Sequence, residues 1–280
     1  MSHPSLPTQP PEPPTLLQTL SFDGQVLHLT LNRPQVRNAM SLAMVSELRQ
    51  ALLDAEAGAT VRVVVLSGAG GHFCAGGDLR DMAQARMKTA DGDEGAMRSV
   101  NAAFGELCVA FARTPLATVA IVEGTVMGGG FGLACVADVA IAGDSAVFRL
   151  PETSLGVVPA QIAPFLVARL GYSEAMRLAV TGGRLDAAAA LGLRLVHEVH
   201  PAAGLDGALQ RVLGDILQCA PGAIAASKAL IAKARFAEPA SLVDEAAGIF
   251  ARAVLGPEGV EGTTAFVQKR KPRWAPGGAT

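Results

Sequence analysis

The chain of 280 residues is long enough to bury a sizeable hydrophobic core without disulfides or metals. It is 50% hydrophobic and only 17% charged, and this composition excludes a disordered protein, which needs low hydropathy and high charge. Its 23 basic and 25 acidic residues exclude a dedicated nucleic-acid-binding protein, which would carry a strong basic excess.

Three regions follow one another along the chain. Residues 1–15 hold six prolines and are predicted to be a disordered tail. Residues 16–200 alternate strand patterns with helical patterns, whereas residues 201–280 have almost only helical patterns. This order predicts an α/β core followed by a helical C-terminal region.

Apolar periodicity places the elements within these regions. The predicted strands cover 26–31, 61–66, 116–122, 139–142, 146–148 and 195–199. The predicted helices cover 42–55, behind a Ser41 cap, then 100–111, 173–180, 205–218, 222–236, 241–254 and 258–270. The polar residues 84–95 are predicted to form a loop.

Membrane segments and an oxidising compartment are not expected. The longest uncharged stretches, 124–137 and 153–168, are shorter than the roughly 18 apolar residues of a spanning helix, and glycines or prolines interrupt them. The four cysteines lack the paired spacing of a metal site or a disulfide framework. No secretory signal pattern is visible at the N-terminus. We therefore expect a cytoplasmic protein without a metal site.

Two of the predicted buried strands end in glycine-rich turns. The first turn, 68–79, follows the strand at 61–66, and the second, 124–132, follows the strand at 116–122. Glycine lets a backbone approach a ligand closely and aim its N–H groups. If a helix starts near Gly129, its first amides are unpaired and lie at the positive end of the helix dipole. Amides from two neighbouring strand ends could then converge on one oxygen, as in an oxyanion hole.

Other glycine motifs do not match these turns. A dinucleotide-binding fingerprint fails because Phe73 stands at the third glycine position, and no Walker-type Gly-Lys-Ser/Thr sequence occurs. The nucleophile elbow Gly-x-Ser-x-Gly is also absent from the sequence. On spacing alone, tight turns and close helix–strand packing remain an alternative explanation for the glycines.

Several motifs occur in a fixed order from about residue 16 to the basic segment 269–272. They are Asn32-Arg33-Pro34 with Asn38-Ala39, Phe73-Cys74-Ala75-Gly76-Gly77-Asp78-Leu79, Met127-Gly128-Gly129-Gly130 with Cys135-Val136-Ala137-Asp138, and Phe148-Arg149-Leu150-Pro151-Glu152 with Leu155-Gly156. This set resembles the motifs of the crotonase (enoyl-CoA hydratase/isomerase) superfamily. The resemblance implies a crotonase-like spiral of ββα repeats, with a helical C-terminal region that builds a homotrimer or a dimer of trimers.

The resemblance also implies an acyl-CoA thioester as substrate, so that coenzyme A is part of the substrate and no separate cofactor is needed. By position, the backbone N–H groups of Gly77 and Gly129 would hold the thioester oxygen, and the Ala75 carbonyl would meet the adenine amino group. The neighbouring glycines expected to contact the substrate are Gly76, Gly128 and Gly132.

The best-known hydratases of this superfamily use two glutamates, which position water and shuttle its proton. This chain has Glu152 at the second position but Gly132 at the first. A single carboxylate can still move a proton next to the thioester, whereas water activation loses its second partner. Three functions stay open: a hydratase with Glu152 as acid/base and a substitute group, an isomerase, and a non-catalytic acyl-CoA-binding protein.

The stretch 155–165, LGVVPAQIAPF, resembles the branch that hydrates 3-substituted glutaconyl-CoA thioesters, namely methylglutaconyl- and isohexenylglutaconyl-CoA. This resemblance favours a hydratase acting on a branched, carboxylated enoyl-CoA. A carboxylated substrate needs a cation, and the candidates are Arg149 and Arg80. A solvated arginine explains each of them equally well.

Basic residues near the motifs are candidates to bind the phosphates of coenzyme A. They are Arg37 and the C-terminal run Lys269, Arg270, Lys271 and Arg273, with Phe266 as an aromatic residue that lines such pockets in relatives. A solvated chain end explains the C-terminal run equally well.

Other polar residues are expected to have structural roles. Asp78 should orient loops or cap backbone groups, although it could reach the site. His72 borders the first turn and either touches the ligand or adds turn polarity. His197 and His200 lack a third metal ligand. Cys74 and Cys135 are expected to be buried packing residues.

Overall fold

The structure is a computed structural model that describes residues 14–278. The predicted proline-rich tail therefore lies outside the described residues, except for its last two positions. The strands are β1 (Leu16–Ser21), β2 (Val26–Leu31), β3 (Val63–Gly68), β4 (Ala117–Val122), β5 (Thr125–Met127), β6 (Val139–Gly143), β7 (Val147–Arg149), β8 (Arg184–Asp186) and β9 (Glu198–His200). The helices are α1 (Leu42–Ala57), α2 (Leu79–Ala90), α3 (Ala96–Arg113), α4 (Gly129–Val136), α5 (Ala163–Thr181), α6 (Ala187–Gly192), α7 (Leu205–Gln218), α8 (Pro221–Ala234), α9 (Val243–Leu255) and α10 (Pro257–Val267).

Within the described part of the chain, the main sheet has the strand order β1-β2-β3-β4-β6-β9. β1 pairs with β2 antiparallel, and the other neighbouring strands are parallel. Parallel strands are covered on both faces, which is why β3 and β4 have nearly continuous apolar sequences. A second sheet has the order β5-β7-β8.

Each repeat of the fold places a strand in the main sheet, a short extended segment in a second layer, and then a helix. β4, β5 and α4 form one repeat, and β6, β7 and α5 form the next. The second-layer segments pair with one another: β5 pairs with β7, Cys74 forms a parallel bridge with Val126, and Met40 forms one with Gly77. This arrangement is the spiral of ββα repeats that the motifs imply.

Both faces of the main sheet are buried. One face, with Leu29 of β2, belongs to a core cluster that includes Leu48 of α1 and Phe131 of α4. The opposite face, with Val119 of β4, is covered by α7 through Leu213. α4 thus lies inside the core, and its rigid packing fixes the position of the second glycine-rich turn. No helix within residues 14–278 combines the length and the hydropathy needed to cross a membrane.

Most of the predicted elements are present, with bounds that differ by a few residues. α7 has the predicted bounds, and the Ser41 cap of α1 is confirmed because its hydroxyl accepts a hydrogen bond from the Met44 N–H at 3.3 Å. The strand predicted at 61–66 is shifted by two residues, to 63–68. The predictions for helices with strong apolar periodicity, such as α7, are therefore confirmed.

The predicted loop at 84–95 is wrong over residues 84–90, which belong to α2 (79–90), whereas residues 91–95 are non-helical as predicted. The buried residue of this helix is Ala85, so no apolar periodicity marks it in the sequence. The helix follows instead from the strong helix formers in its sequence and from Asp78, whose carboxylate caps it by accepting from the Arg80 N–H at 2.8 Å.

Other elements are predicted only in part or not at all. α5 begins ten residues before the predicted helix at 173–180 and bends at Gly171, where φ is 76° and ψ is 165°. The sequence pattern found only the part after this glycine. Four of the six residues of β1 are exposed, and β5 and β8 have three residues each. Such segments, like the six-residue α6, are too short or too exposed to show a period.

Candidate active site

The two glycine-rich turns lie directly against each other. A Cβ atom built on Gly76 would lie 3.3 Å from the Met127 carbonyl oxygen and 3.8 Å from both the Gly128 Cα and the Gly129 nitrogen. The turns are held in register because the backbone of Cys74 pairs with β5 through two hydrogen bonds of 2.9 Å. A backbone without a side chain at position 76 is therefore what allows this close approach.

The N–H of Gly77 points away from the segment that contains Met40. The Gly76 carbonyl accepts a hydrogen bond of 2.8 Å from the Met40 N–H. Because the peptide unit is planar and trans, the Gly76 carbonyl and the Gly77 N–H point in opposite directions. Gly77 is exposed, and its N–H donates to no backbone carbonyl within residues 14–278. This amide is therefore available to a ligand.

The N–H of Gly129 is the first amide of α4. The Gly128 carbonyl accepts from the Gly132 N–H at 3.0 Å, so the Gly129 N–H of the same peptide unit points outward from the helix N-terminus. Gly128 has φ of 49° and ψ of −115°, a conformation that residues with a side chain rarely adopt. It turns the chain sharply from β5 into α4 and aims this amide along the positive end of the helix dipole.

Glu152 lies against the second turn. A Cβ atom on Gly128 would lie 2.9 Å from Glu152 Oε1, so the carboxyl group fills the space next to this glycine. The other oxygen, Oε2, is buried and has no hydrogen-bond partner within the described residues. Desolvation by burial raises the pKa of Glu152 above its ordinary value of 4.5, although a backbone N–H partly offsets the effect. A partly desolvated carboxyl group with one unpartnered oxygen is typical of a general acid/base.

The place of the missing carboxylate is filled by another side chain. A Cβ atom on Gly132 would lie 2.3 Å from Ile162 Cγ2, closer than real Cβ atoms come to any group. Ile162 is only 3% exposed. A glutamate at position 132 would therefore require Ile162 to move.

Polar side chains brace the first turn from behind. The buried Asn38 donates from Nδ2 to the carbonyls of Ala69 and His72, at 2.9 and 2.7 Å, and accepts from the Arg33 N–H. The Arg33 guanidinium pairs with the Asp78 carboxylate at 2.6 Å. Burial by itself would raise the pKa of Asp78, but hydrogen bonds from a backbone N–H and from Arg33 lower it overall. Asp78 thus has the bracing and capping role expected from the sequence.

Four of the residues predicted to bind the thioester substrate lie at or next to the two glycine-rich turns. At the first turn, the Ala75 N–H donates to the carbonyl of the exposed Arg37 at 2.9 Å, and the Ala75 carbonyl accepts no backbone hydrogen bond within residues 14–278. At the second turn, the carbonyl of Arg149 accepts from the Gly128 N–H at 3.1 Å, and the Arg149 side chain is exposed. Arg80 is exposed at the start of α2.

Phe266 and Lys269 lie elsewhere, at the end of α10. Phe266 is 85% exposed. Within the basic run, Arg270 pairs with Glu261 at 2.7 Å and Lys271 donates to a backbone carbonyl at 2.9 Å. Lys269 makes no side-chain hydrogen bond or ion pair within the described residues. Arg270 and Lys271 are therefore bound to groups within the C-terminal region of the same chain.

The histidines contact backbone or neighbouring side chains. His72 Nδ1 accepts from the Thr125 N–H at 3.1 Å and so ties the first turn to the second. His197 Nδ1 accepts from the Ala140 N–H at 3.0 Å, and burial lowers the pKa of His197. His200 pairs with a neighbouring glutamate at 2.7 Å. Residues 14–278 hold no group of three or more side chains suited to bind a metal ion.

The cysteines near the turns are packing residues. Cys74 and Cys135 are buried, and burial raises the pKa of each thiol to about 12. Both thiols therefore stay protonated and lack the thiolate that a nucleophile requires.

Arg169 of α5 was not recognised from the sequence. Its guanidinium donates to the Ala134 carbonyl at 3.4 Å and to the Ala137 carbonyl, both at the C-terminal end of α4. A cation at this end complements the helix dipole, whose other end lies at Gly129. Burial lowers the pKa of Arg169, which nevertheless stays charged. One arginine in an ordinary helical pattern gives no sequence signal for this role.

Two apolar residues next to Gly129 were also not assigned to the site. A Cβ atom on Gly129 would lie 2.7 Å from Met40 Cε and 3.1 Å from Phe104 Cζ. Met40 is buried and Phe104 is partly exposed. Phe104 reaches the site from α3, and Met40 reaches it from the segment before α1. They are distant from Gly129 in the sequence, so their proximity depends on the fold.

A family model described as enoyl-CoA hydratase/isomerase matches residues 21–277. The chain belongs to this family. The crotonase superfamily indicated by the motifs and the mixed α/β crotonase fold are thereby confirmed.

Solved structures share the fold over nearly the whole chain. Pseudomonas aeruginosa AtuE is 55% identical, with a TM-score of 0.89, and the match covers 94% of this chain and 100% of AtuE. An enoyl-CoA hydratase/isomerase from Marinobacter aquaeolei is 49% identical, also with a TM-score of 0.89, covering 94% and 99% of the two chains.

Relatives of known name differ in their reactions. A peroxisomal Δ(3,5)-Δ(2,4)-dienoyl-CoA isomerase from Arabidopsis thaliana is 30% identical over 90% of this chain and 94% of its own. A probable enoyl-CoA hydratase from Mycobacterium tuberculosis is 32% identical over 90% and 95%. Family membership thus includes both hydration and isomerisation. Because the Arabidopsis relative is peroxisomal, a cytoplasmic location for this chain stays a prediction.

The two turns make a testable contrast between Gly77→Ala and Gly128→Ala. A Cβ on Gly77 meets nothing within 4 Å, so this variant should change the free energy of unfolding by less than about 1 kcal/mol. At Gly128 the same methyl group meets Glu152 Oε1 at 2.9 Å in a strained backbone, and a loss of about 1–3 kcal/mol is expected. Urea denaturation followed by circular dichroism measures both values. Equal losses would contradict the described packing of the turns.

Proposed function

We propose that this protein is an acyl-CoA hydratase that adds water to the double bond of a 2-enoyl-CoA thioester. The observation that carries the proposal is the Glu152 carboxyl, whose Oε2 is buried without a partner within the described residues and whose Oε1 lies beside Gly128, where the two glycine-rich turns meet. The amides of Gly77 and Gly129 form the oxyanion hole for the thioester oxygen. Each such donor contributes roughly 3–4 kcal/mol to lowering the barrier.

The reaction requires two proton transfers by one group. The Glu152 carboxylate takes a proton from water while the water oxygen bonds to C3. The electrons of the C2–C3 π bond move toward the carbonyl and form an enolate, whose oxygen the two amides stabilise. The Glu152 carboxylic acid then returns the proton to C2. One water molecule has been added, and the carboxylate is regenerated.

The environment of Glu152 suits both transfers. Since its pKa is raised by burial, its acid and base forms are closer in free energy near neutral pH than those of an exposed glutamate. Its position against Gly128 keeps the carboxyl next to the oxyanion hole. This is how one glutamate can serve a reaction for which the best-known relatives use two.

An enoyl-CoA isomerase is the second candidate function. Moving a proton between two carbons needs only one base, and the position of the first glutamate is taken here by the apolar Ile162. The two reactions differ in product mass, because hydration adds one water molecule and isomerisation adds nothing. A non-catalytic acyl-CoA-binding protein would bind the thioester and release it unchanged.

The proposed substrate is a 3-substituted glutaconyl-CoA. The resemblance of segment 155–165 supports this choice. The exposed guanidinium groups of Arg149, beside the second turn, and Arg80, after the first turn, are available to meet the distal carboxylate. For the coenzyme A part, Ala75 and Arg37 lie together at the first turn and are proposed to bind the adenine amino group and a phosphate.

A homotrimer or a dimer of trimers is the proposed assembly. The C-terminal helices expose large apolar side chains in the single chain: Phe236 at 85%, Phe250 at 69%, Leu255 at 80% and Phe266 at 85%. Apolar surface of this extent is typical of an interaction surface. In such an assembly, Phe266 and Lys269 would line the coenzyme A site of a neighbouring subunit.

Glu152→Gln should lower turnover of a 3-substituted glutaconyl-CoA by at least about 100-fold, because the amide transfers no proton. The dissociation constant of the thioester should change by less than about threefold, since the oxyanion hole remains. Mass spectrometry of the wild-type product should show the mass of one added water. The matched control is Glu94→Gln, an exposed carboxylate, which should behave as wild type. Unchanged turnover in Glu152→Gln would refute the assignment.

The raised pKa of Glu152 predicts a defined pH dependence. The carboxylate is the form that accepts the first proton, so kcat/KM should fall on the acid side with a midpoint above 4.5. Burial favours the neutral form of the Glu152 carboxyl in the folded protein. The free energy of unfolding should therefore decrease as the pH rises through the raised pKa of Glu152. Glu152→Gln should therefore unfold at a higher temperature than wild type at pH 8. A midpoint at or below 4.5, or a less stable variant at pH 8, would contradict this electrostatic account.

A further inference from the structure

Gly132 of α4 and Ile162, just before α5, share one volume. A Cβ on Gly132 would lie 2.3 Å from Ile162 Cγ2 and 3.1 Å from Ile162 Cβ. The overlap involves the β-branch of a side chain that is 3% exposed, rather than the far end of a long side chain. Ile162 can therefore occupy this position only when residue 132 has no side chain.

The segment that carries Ile162 is docked at a second point. A Cβ on Gly105 of α3 would lie 2.1 Å from Oε1 of Gln161, so Gln161 rests directly on this glycine. Gln161 Nε2 also donates to Asn101 Oδ1 at 2.8 Å. Two glycines on two helices thus receive two consecutive side chains, and the position of Ile162 is fixed from both sides.

Ile162 lies close to the proposed acid/base along α4. Gly128 precedes α4 in a non-helical conformation, and its carbonyl accepts from the Gly132 N–H at 3.0 Å across the first turn of the helix. Glu152 Oε1 lies 2.9 Å from the first of these positions, and Ile162 Cγ2 lies 2.3 Å from the second. Glu152 and Ile162 therefore contact the two ends of the first turn of α4.

Phe104 links this position to the oxyanion hole. Its Cζ lies 3.1 Å from the Cβ position of Gly129 and 3.7 Å from that of Gly132. Phe104 is partly exposed, whereas Ile162 behind it is buried. Both side chains belong to one hydrophobic cluster and both reach the Cβ position of Gly132. We call this pair, which extends from Gly129 to the segment before α5, the 104/162 wall.

We propose that the 104/162 wall determines which substituent the enzyme accepts on the carbon that receives water, and that it selects an apolar one. The inference rests on the proposed function, which places the thioester oxygen at Gly129 and the reacting carbons beside Glu152. Phe104 contacts the substituent, and Ile162 sets how far Phe104 can retreat. Ile162 is thus a specificity-determining residue, and Gly132 is required because Ile162 fills its space.

The first test is the substrate preference of Ile162→Ala. It uses two thioesters, methylglutaconyl-CoA and isohexenylglutaconyl-CoA, and compares the ratio of their kcat/KM values. Removing the branched side chain opens room behind Phe104, so the ratio should shift toward the larger substituent by about 10-fold or more. A role in stability alone would lower both rates together and leave the ratio unchanged. A shift of less than about twofold would overturn the proposal.

The second test is rescue within the pair. Gly132→Ala should lower the melting temperature and both rates, and adding Ile162→Ala should restore the melting temperature to that of Ile162→Ala alone. The matched control is Gly130→Ala on the same helix, whose Cβ would meet Cys74 Cβ at 2.7 Å instead. Ile162→Ala should not rescue it. Absence of rescue at Gly132, or equal rescue at Gly130, would overturn the pairing.

Failure of the proposed function would be recognised separately. If the wild-type protein adds no water to any enoyl-CoA, the preference is measured as dissociation constants for the saturated forms of the same two thioesters. The same 10-fold shift in Ile162→Ala, about 1.4 kcal/mol, would then support the wall without hydration. An unshifted binding ratio would refute the wall under either function.

Discussion

The contact between the two glycine-rich turns is the constraint on which the rest of the site depends. A side chain at position 76 would crowd the Met127 carbonyl oxygen at 3.3 Å, and it would have to adopt a φ of 97°. Peptide planarity then fixes the direction of both amides, because each carbonyl is already used: one by the Met40 N–H and one inside α4. The proposed oxyanion hole is thus a consequence of backbone pairing, and it needs no polar side chain of its own. The buried core and the parallel strands supply the rigidity that such a backbone site requires.

Supporting groups hold each half of this contact. Asn38 and the Arg33–Asp78 ion pair brace the first turn, while Arg169 complements the far end of the helix that begins the second. Glu152 is different, since its Oε2 is buried without a partner within residues 14–278. A fold that leaves an oxygen of this carboxyl unsatisfied retains a cost in stability at that position, as acid/base residues commonly do.

The glycine-rich turns, the strands before them and Glu152 could be predicted because they are encoded locally, in motifs and in apolar periodicity. α2 was misjudged because it is exposed on most sides and depends on propensity and the Asp78 cap. Only part of the role of Gly132 could be predicted. The resemblance implies that a carboxylate is missing, but the sequence cannot indicate that Ile162, thirty residues later, fills the space. The role of Arg169 could not be predicted for the same reason, because its partners are backbone carbonyls at the end of another helix.

In the proposed mechanism, one carboxyl, two backbone amides and an apolar wall take the place of a pair of glutamates. Its central claim is that the amides of Gly77 and Gly129 polarise a thioester carbonyl. The most direct measurement is the infrared spectrum of a thioester labelled with ¹³C at the carbonyl and bound to Glu152→Gln, in which turnover is blocked. Two hydrogen bonds to the oxygen should shift the carbonyl stretch to a lower frequency than in water. A stretch at the frequency found in water would contradict the oxyanion hole and, with it, the proposed chemistry.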